Sequence, residues 1–505
     1  MGFFGREKIP VPPHPRREPR IDLPLCLESL EQVFDGCVDF SHRAVDLGGD
    51  PAKKLTLCYI GGMVRMERVS DYVLRPLAQD KTLAVGNLAG AIGRIRDGAL
   101  YNLSVEERTT MDEAVFDLIG GNCLLLFPGE SVCLSFNTGT EEKRSVSEPE
   151  NEPPIKGPRD SFVESIRTNT SLVRRRLRAP SLKIKELLVG RQSVTPVDIL
   201  WIEGLTNPEL VKAVEQRIDA IDIDALIATG NLEEYIVDDL HTPFPLVATT
   251  ERPDRFTAGV VEGRVGILVD GLPLGWLVPG TISQFFKTPQ DKAQSWMVAS
   301  MLTVLRYLCM LTTLFLPALY IAAVTFHPEM LPTKLTLSII AAKQDVPFTT
   351  IFEVLILLIA FEIIQEAGLR LPSSIGQTVS ILGGLVVGSA AVEARIVSPA
   401  VLIVVAIAGI AGYTMPSQDL AGALRLWRFL LALCASVGGL FGIAAGAAAL
   451  VFHLAGIESF GVAYLTPFAA NAGEQVEGRT VLRQPLPRAK LREAALKTRN
   501  RRNQK

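Results

Sequence analysis

The chain has 505 residues, 48% of them hydrophobic and 21% charged, with a formal net charge of -3. Its length and positive mean hydropathy exceed one ordinary soluble domain; the near-neutral charge averages a mixed front half with a basic end and carries no message about partners, and no nucleic-acid partner is expected. Seven cysteines (Cys26, Cys37, Cys58, Cys123, Cys133, Cys309 and Cys434) form no CxxC pair and have no histidine at ligand spacing, which argues against a disulfide frame or a zinc site and leaves no metal or cofactor to expect.

Residues 1–50 read as a polar, Pro-rich extension without the apolar core of a secretory signal, and Gly2 lacks the Ser or Thr of a myristoylation site. The front domain is therefore expected to begin and stay in the cytoplasm. In 51–140, KLTLCYIGGMVRMERVSDYVLRPL (54–77) reads as strand, Gly turn and amphipathic helix, and NCLLLFPGESVCLSF (122–136) as two strands turning at Pro128–Gly129. A charged, Pro-rich stretch over 141–160 reads as an exposed linker. The pattern then recurs in 161–293: VDILWIEGLTNPELVKAVEQRI (197–218) is again strand, turn and helix, with Asn207 and Pro208 as the helix start, and GRVGILVDGLPLGWLVP (263–279) turns at Asp270–Gly271. Two related α/β subdomains built by internal duplication are the expectation.

This half carries no Walker loop, no GxGxxG after a strand, no HExxH and no GxSxG, so no enzyme is expected. Gly61–Gly62 lacks the Lys-Ser/Thr of a phosphate loop and reads as a turn. The run with Arg174, Arg175, Arg176 and Arg178 fits anionic lipid headgroups, a solvated helix face or a subunit contact.

Residues 294–465 change character. Apolar segments at 298–325, 350–368, 374–392, 398–416 and 427–455 each reach the ~17–25 residues that a spanning helix needs. The first carries Arg306 where a long side chain reaches the surface. The second carries Glu353, Glu362, Glu366 and Arg370. Glu362, Glu366 and Arg370 share an i, i+4, i+8 stripe, with Glu353 on roughly the opposite side. A Glu366–Arg370 surface pair is one reading; Glu362, flanked by apolar residues, is the candidate pore acid, because ionisable groups at bilayer depth face protein or water.

Glycines point to close helix packing or a pore wall: Gly383, Gly384 and Gly388 in the third segment, and Gly442 and Gly446 in the fifth. Five crossings would put the tail, 466–505, outside, yet 479–505 holds ten basic residues against Glu493, which the positive-inside bias disfavours. Either one segment does not fully cross or 331–342 dips in, with the acidic second segment the candidate half-crossing. The expected fold is an α-helical polytopic membrane domain of about 4–6 membrane segments, one of them re-entrant, preceded by the cytoplasmic α/β domain.

The runs FLPALYIAAVTFHPEMLPTKL (315–335), FEIIQEAGLRLPSSIGQTVSILGGLVVGSAAVEARIVSPAVLIVVAIAGIAGYTMPS (361–417) and FGVAYLTPF (460–468) resemble the A subunits of spore germinant receptors, the GerA-type family. GPRDSFVESIRTNTSLVRRRLR (157–178), PFP (243–245), TERPD (250–254) and EGRVGILVDGLP (262–273) add to the resemblance, which covers roughly residues 50–470. It implies a multi-pass protein of the endospore inner membrane with its N-terminal domain on the core side. It also implies a homo-oligomer that conducts ions, working with membrane lipids, a multispanning B subunit and a lipoprotein C subunit. The sister stage V sporulation AF branch and a small-solute transporter are the alternatives, the latter disfavoured because no internal repeat appears in the membrane part.

Overall fold

The computed structural model describes residues 21–100, 104–139, 149, 152, 157–370, 388–468, 481–485 and 491–503, with side chains at 229, 231 and 368–370 outside the description. The described residues form two units, an α/β unit within Met1–Val237, Val247–Pro279 and Leu486–Lys505, and a helical unit within Asp238–Leu246 and Gly280–Pro485.

The α/β unit holds two five-stranded antiparallel sheets of the same connectivity. After α1 (Leu27–Val33), the strands β1 (Phe40–Asp46), β2 (Lys54–Ile60), β3 (Val105–Arg108), β4 (Cys123–Leu126) and β5 (Cys133–Phe136) line up in the order β1-β2-β4-β5-β3. The strands β6 (Leu182–Val189), β7 (Thr195–Ile202), β8 (Ala248–Thr250), β9 (Val265–Val269) and β10 (Gly275–Val278) repeat it as β6-β7-β9-β10-β8. Alternation along β2 sends Leu55 and Leu57 into one apolar cluster and Cys58 and Ile60 into another, so both faces of the first sheet are covered. The helix α2 (Met111–Gly120) packs on one face and ends at Gly121, whose φ of 94° is the left-handed terminator a glycine permits. In the second subdomain come α3 (Ile166–Arg176), α4 (Pro208–Asp219) and α5 (Pro253–Glu262). Asn207 caps α4 by accepting the Glu209 amide at 3.1 Å, with Pro208 in the first turn.

Three boundaries move. The strand β1 lies inside the segment 1–50 read as an extension, and it pairs with β2 from Phe40–Ile60 to Asp46–Lys54, so the first sheet starts before residue 51. In the stretch read as an exposed linker, 141–148, 150–151 and 153–156 lie outside the described residues; Glu152, however, is fixed by the Thr250 hydroxyl and the Arg255 guanidinium. The basic tail is not a separate piece either. Arg492 Nε donates to the Val261 carbonyl at 2.9 Å, the Arg499 amide to the Leu205 carbonyl at 3.0 Å, and Leu496 is buried, all within the α/β unit.

The helical unit contains α6 (Trp296–Thr325), α7 (Thr333–Lys343), α8 (Thr350–Arg370), α9 (Pro399–Gly412) and α10 (Gln418–Gly456). The serines Ser295 and Ser417 cap α6 and α10 through the amides of Val298 and Leu420. Both helices are long and apolar enough to cross a membrane. Arg306 of α6 is held by both oxygens of Asp291, at 2.7 and 3.0 Å.

The stretch 427–455, read as one span, doubles back. Gly439 takes φ 56° and ψ -133°, a conformation closed to residues with a Cβ, and breaks α10 into arms 418–438 and 440–456. In a straight helix Trp427 and His453 would stand roughly 39 Å apart; their rings are 5.8 Å apart. Gly442 and Gly446 line the inside of this hairpin. A Cβ on Gly442 would run into the Cys434 carbonyl, and one on Gly446 would meet Leu431 Cδ2 at 2.8 Å. The small-residue spacing thus closes two arms of one chain.

The acidic segment, the candidate for a half-crossing or cavity-lining element, is the unbroken helix α8 of 21 residues, about 31 Å long, and 331–342 falls mostly in the separate short helix α7. Of the third segment, 374–387 lie outside the described residues and 388–392 are helical. Entry and exit of the helical unit meet at one end. The Ile282 amide donates to the Tyr464 carbonyl at 2.9 Å and the Arg483 amide to Ser300 Oγ at 2.9 Å. The segment Asp238–Leu246 joins the same end, with Thr242 Oγ1 3.0 Å from His453 Nε2 and the Ser459 hydroxyl donating to the Leu246 carbonyl at 2.8 Å.

Candidate functional site

The helix α8 brings the acids of the second apolar segment into two different settings. Nine residues, two and a half turns, separate Glu353 from Glu362, so their side chains leave opposite faces. Glu353 is 0% exposed. Its Oε2 accepts the Ser398 amide at 2.8 Å, just before α9, where the unsatisfied amides of a helix start favour a carboxylate. Lys343 of α7 stands 3.7 Å from its other oxygen. Glu353 therefore ties three helices together and faces no open path.

Glu362 points the other way and meets two arginines from the first arm of α10. Its Oε1 accepts Arg428 Nη2 at 2.6 Å and its Oε2 accepts Arg425 Nη1 at 3.1 Å. The arginines are three residues apart and share a helix face. Arg428 is buried, whereas Glu362 and Arg425 keep 25% and 28% of their side-chain surface. The bare carboxylate expected of Glu362 is thus a two-cation, one-anion cluster in the middle of apolar helices. Sequence reading overlooked Arg428, although an arginine inside LWRFLLALC needs an acid partner at that depth. Phe361 fits beside the cluster against Gly409, where even a Cβ would crowd its ring, and its ring meets that of Tyr413 at a tilt, with centroids 6.1 Å apart.

Glu366, one turn on, is exposed, and the Arg370 side chain lies outside the described residues. So do Gly383 and Gly384; Gly388 packs on Leu402, whose Cδ1 would lie 3.2 Å from an added Cβ. The basic run of α3 is internal in part: Arg174 is buried against both oxygens of Asp39, and Arg176 pairs with Asp160. Among the described residues no group of His, Cys, Asp and Glu is arranged to hold a metal ion. The chemistry of the Glu362, Arg425 and Arg428 cluster is electrostatic, one carboxylate shared by two guanidinium groups.

The model of the Bacillus/Clostridium GerA spore germination protein family matches residues 28–495. The uncharacterized membrane protein YfkQ of Bacillus subtilis is 38% identical over 89% of this chain and 87% of its own length. Spore germination protein KA of the same species is 36% identical over 87% of this chain and 80% of its own. Spore germination protein GerLA of Bacillus cereus is 34% identical over 85% and 87%, respectively. Among solved structures, the N-terminal domain of the A subunit of the Bacillus megaterium spore germinant receptor GerK3 aligns with 50% of this chain and 92% of that one, at 28% identity and a TM-score of 0.39.

Proposed function

Because this chain belongs to the Bacillus/Clostridium GerA spore germination protein family, we propose that it is the A subunit of a nutrient germinant receptor in the spore inner membrane. It oligomerises there beside a multispanning B subunit and a lipoprotein C subunit, and passes ions when the receptor engages its nutrient. The observation that carries the conducting step is the cluster of Glu362, Arg425 and Arg428. Charge among apolar helices persists where protein or water surrounds it. Repeated by rotation in a ring of subunits, the partly exposed Glu362 and Arg425 would line a polar path, with Arg428 as a buried anchor.

Six crossings fit this reading, counting α6, α8, the segment 374–392, the short α9 and the two arms of α10. An even number returns the chain to its starting side. That supports a core-side position for both the N-terminal domain and the basic tail, in line with the positive-inside bias and with tail residues 491–503 packing in the α/β unit. Cysteine labelling near Lys505 from outside intact protoplasts tests the side; strong labelling would sink the even count.

Purified protein in liposomes tests the activity. Ion flux without solute counterflow is the expected result. Saturable solute uptake would make the protein a carrier, and neither would leave it an anchor for the α/β unit.

A further inference from the structure

A cavity of about 420 Å³ lies where the end of α6, the helix α7, the turn into α8 and the tip of the α10 hairpin meet, within the ~300–1,000 Å³ typical of small-molecule sites. Ile321 and Val324 of α6, Ile339 and Ile340 of α7, and Phe348 and Ile351 before and in α8 make its apolar wall. Lys343 is the single ionisable residue in that lining among the described residues. Its ammonium carries three donors. One goes to the Thr350 hydroxyl. The nearest oxygen of Glu353 stands 3.7 Å away, an ion pair too long for a hydrogen bond. That oxygen has no hydrogen-bond partner among the described residues although the carboxylate is fully buried. Lys343 thus reaches the cavity with donors unspent and its countercharge at arm's length.

We propose that this cavity binds a small amphiphile with an anionic head and an aliphatic body, the head on Lys343 and Thr350 and the body along α6 and α7. A cationic head is disfavoured because Lys343 is the charge at the wall, and Glu353 is committed to the Ser398 amide. The ligand would bridge α6, α7, α8 and the hairpin tip near Ser436. The binding step does not rest on ion conduction. The shared chemistry has two sources, a free alkyl carboxylate or an anionic phospholipid.

The test uses full-length protein in phosphatidylcholine nanodiscs and a decanoate bearing an alkyl diazirine, photolysed and mapped by mass spectrometry. Label is expected on 321–325 and 339–351. Lys343→Gln should lower it by about tenfold, the worth of one charge-assisted hydrogen bond, while Lys343→Arg retains most of it. Val324→Phe, which fills the cavity without touching the charge, should lower it too, and it decides the matter if Lys343→Gln does not fold. Displacement by unlabelled decanoate alone assigns a free carboxylate; displacement by phosphatidylglycerol in the disc assigns the lipid. Label spread over outward residues such as Val437, Phe441 and Phe452, or unchanged in the folded variants, overturns the site.

Discussion

Arg174 in the α/β unit and Arg428 in the helical unit are both buried arginines facing a carboxylate, and they are held differently. Arg174 gives Nε and Nη2 to the two oxygens of Asp39, and Nη1 to the Leu182 carbonyl at 3.3 Å. The planar guanidinium matches the carboxylate in both bonds, so the pair is closed. Around it the Val38 amide donates to the Ile184 carbonyl at 2.9 Å, and Lys183 Nζ to the Val33 carbonyl at 2.9 Å. The chain before the first sheet is thereby fastened to the edge of the second. Arg428 instead makes one bond, to Glu362, and its Nε is buried without a partner among the described residues. Glu362 in turn divides its oxygens between two arginines. The difference separates a closed pair from an incompletely satisfied one. Burial alone does not tell them apart; the number of satisfied donors does.

The largest effect should come from the closed pair. Arg174→Met keeps the stem and strands the Asp39 charge, an expected loss of about 3–5 kcal/mol. Urea unfolding in detergent, followed through Trp201 and the fully buried Trp276 of the second subdomain, would show it. A loss under about 1 kcal/mol would mean that the pair is solvated and the contrast with Arg428 is empty.

Glu362→Gln should cost less, about 1–3 kcal/mol, because Glu362 is part-exposed and a second cation already shares it. Its main consequence is on flux, which should fall in liposomes at matched protein levels as two arginines lose their counterion. Glu362→Gln with Arg428→Gln should recover assembly beyond the sum of the singles, the signature of direct coupling. Additive losses, or unaltered flux, would remove the cluster from the proposed conducting path.

What sequence patterns conveyed follows the range of the interactions. The cap at Asn207 and the hairpin joining β9 and β10 depend on neighbours and stand in the structure as the local signals indicate. The edge strand β1 was hidden because its sequence, FSHRAVD, keeps most of its side chains partly or fully exposed and lacks a clean apolar alternation. Gly439 sits in a glycine-rich apolar run whose composition satisfies a single span, and its reversal depends on backbone angles rather than hydropathy. Glu362 and Arg428 are far apart in sequence. The acid was visible as an anomaly, but the arginine that answers it is placed only by helix packing. Local chemistry therefore located one half of the site.

Asp198 on β7 falls between the two arginine pairs and sharpens the comparison through its pH dependence. It is 0% exposed, as Asp39 nearly is, yet only its Oδ2 has a cation, Arg167 Nη1 at 3.2 Å. Arg167 is also engaged by Glu186, and Asp198 Oδ1 has no hydrogen-bond partner among the described residues. Burial pushes the Asp198 carboxyl up to about 7, with Arg167 pulling down and Glu186, Asp39 and Asp270 adding to the rise. The folded form therefore holds a proton that the unfolded chain has released near pH 4. Between those values the native state binds more protons, so stability must fall as pH rises, by about 4 kcal/mol at most once pH 7 is passed. Asp198→Asn removes the titration while keeping the shape. Urea midpoints at pH 5, 6, 7 and 8 should decline in the parent and stay nearly level in the variant, with the variant ahead at pH 8. Parallel declines would show that Asp198 is ionised throughout, held by Arg167 as firmly as Asp39 is by Arg174.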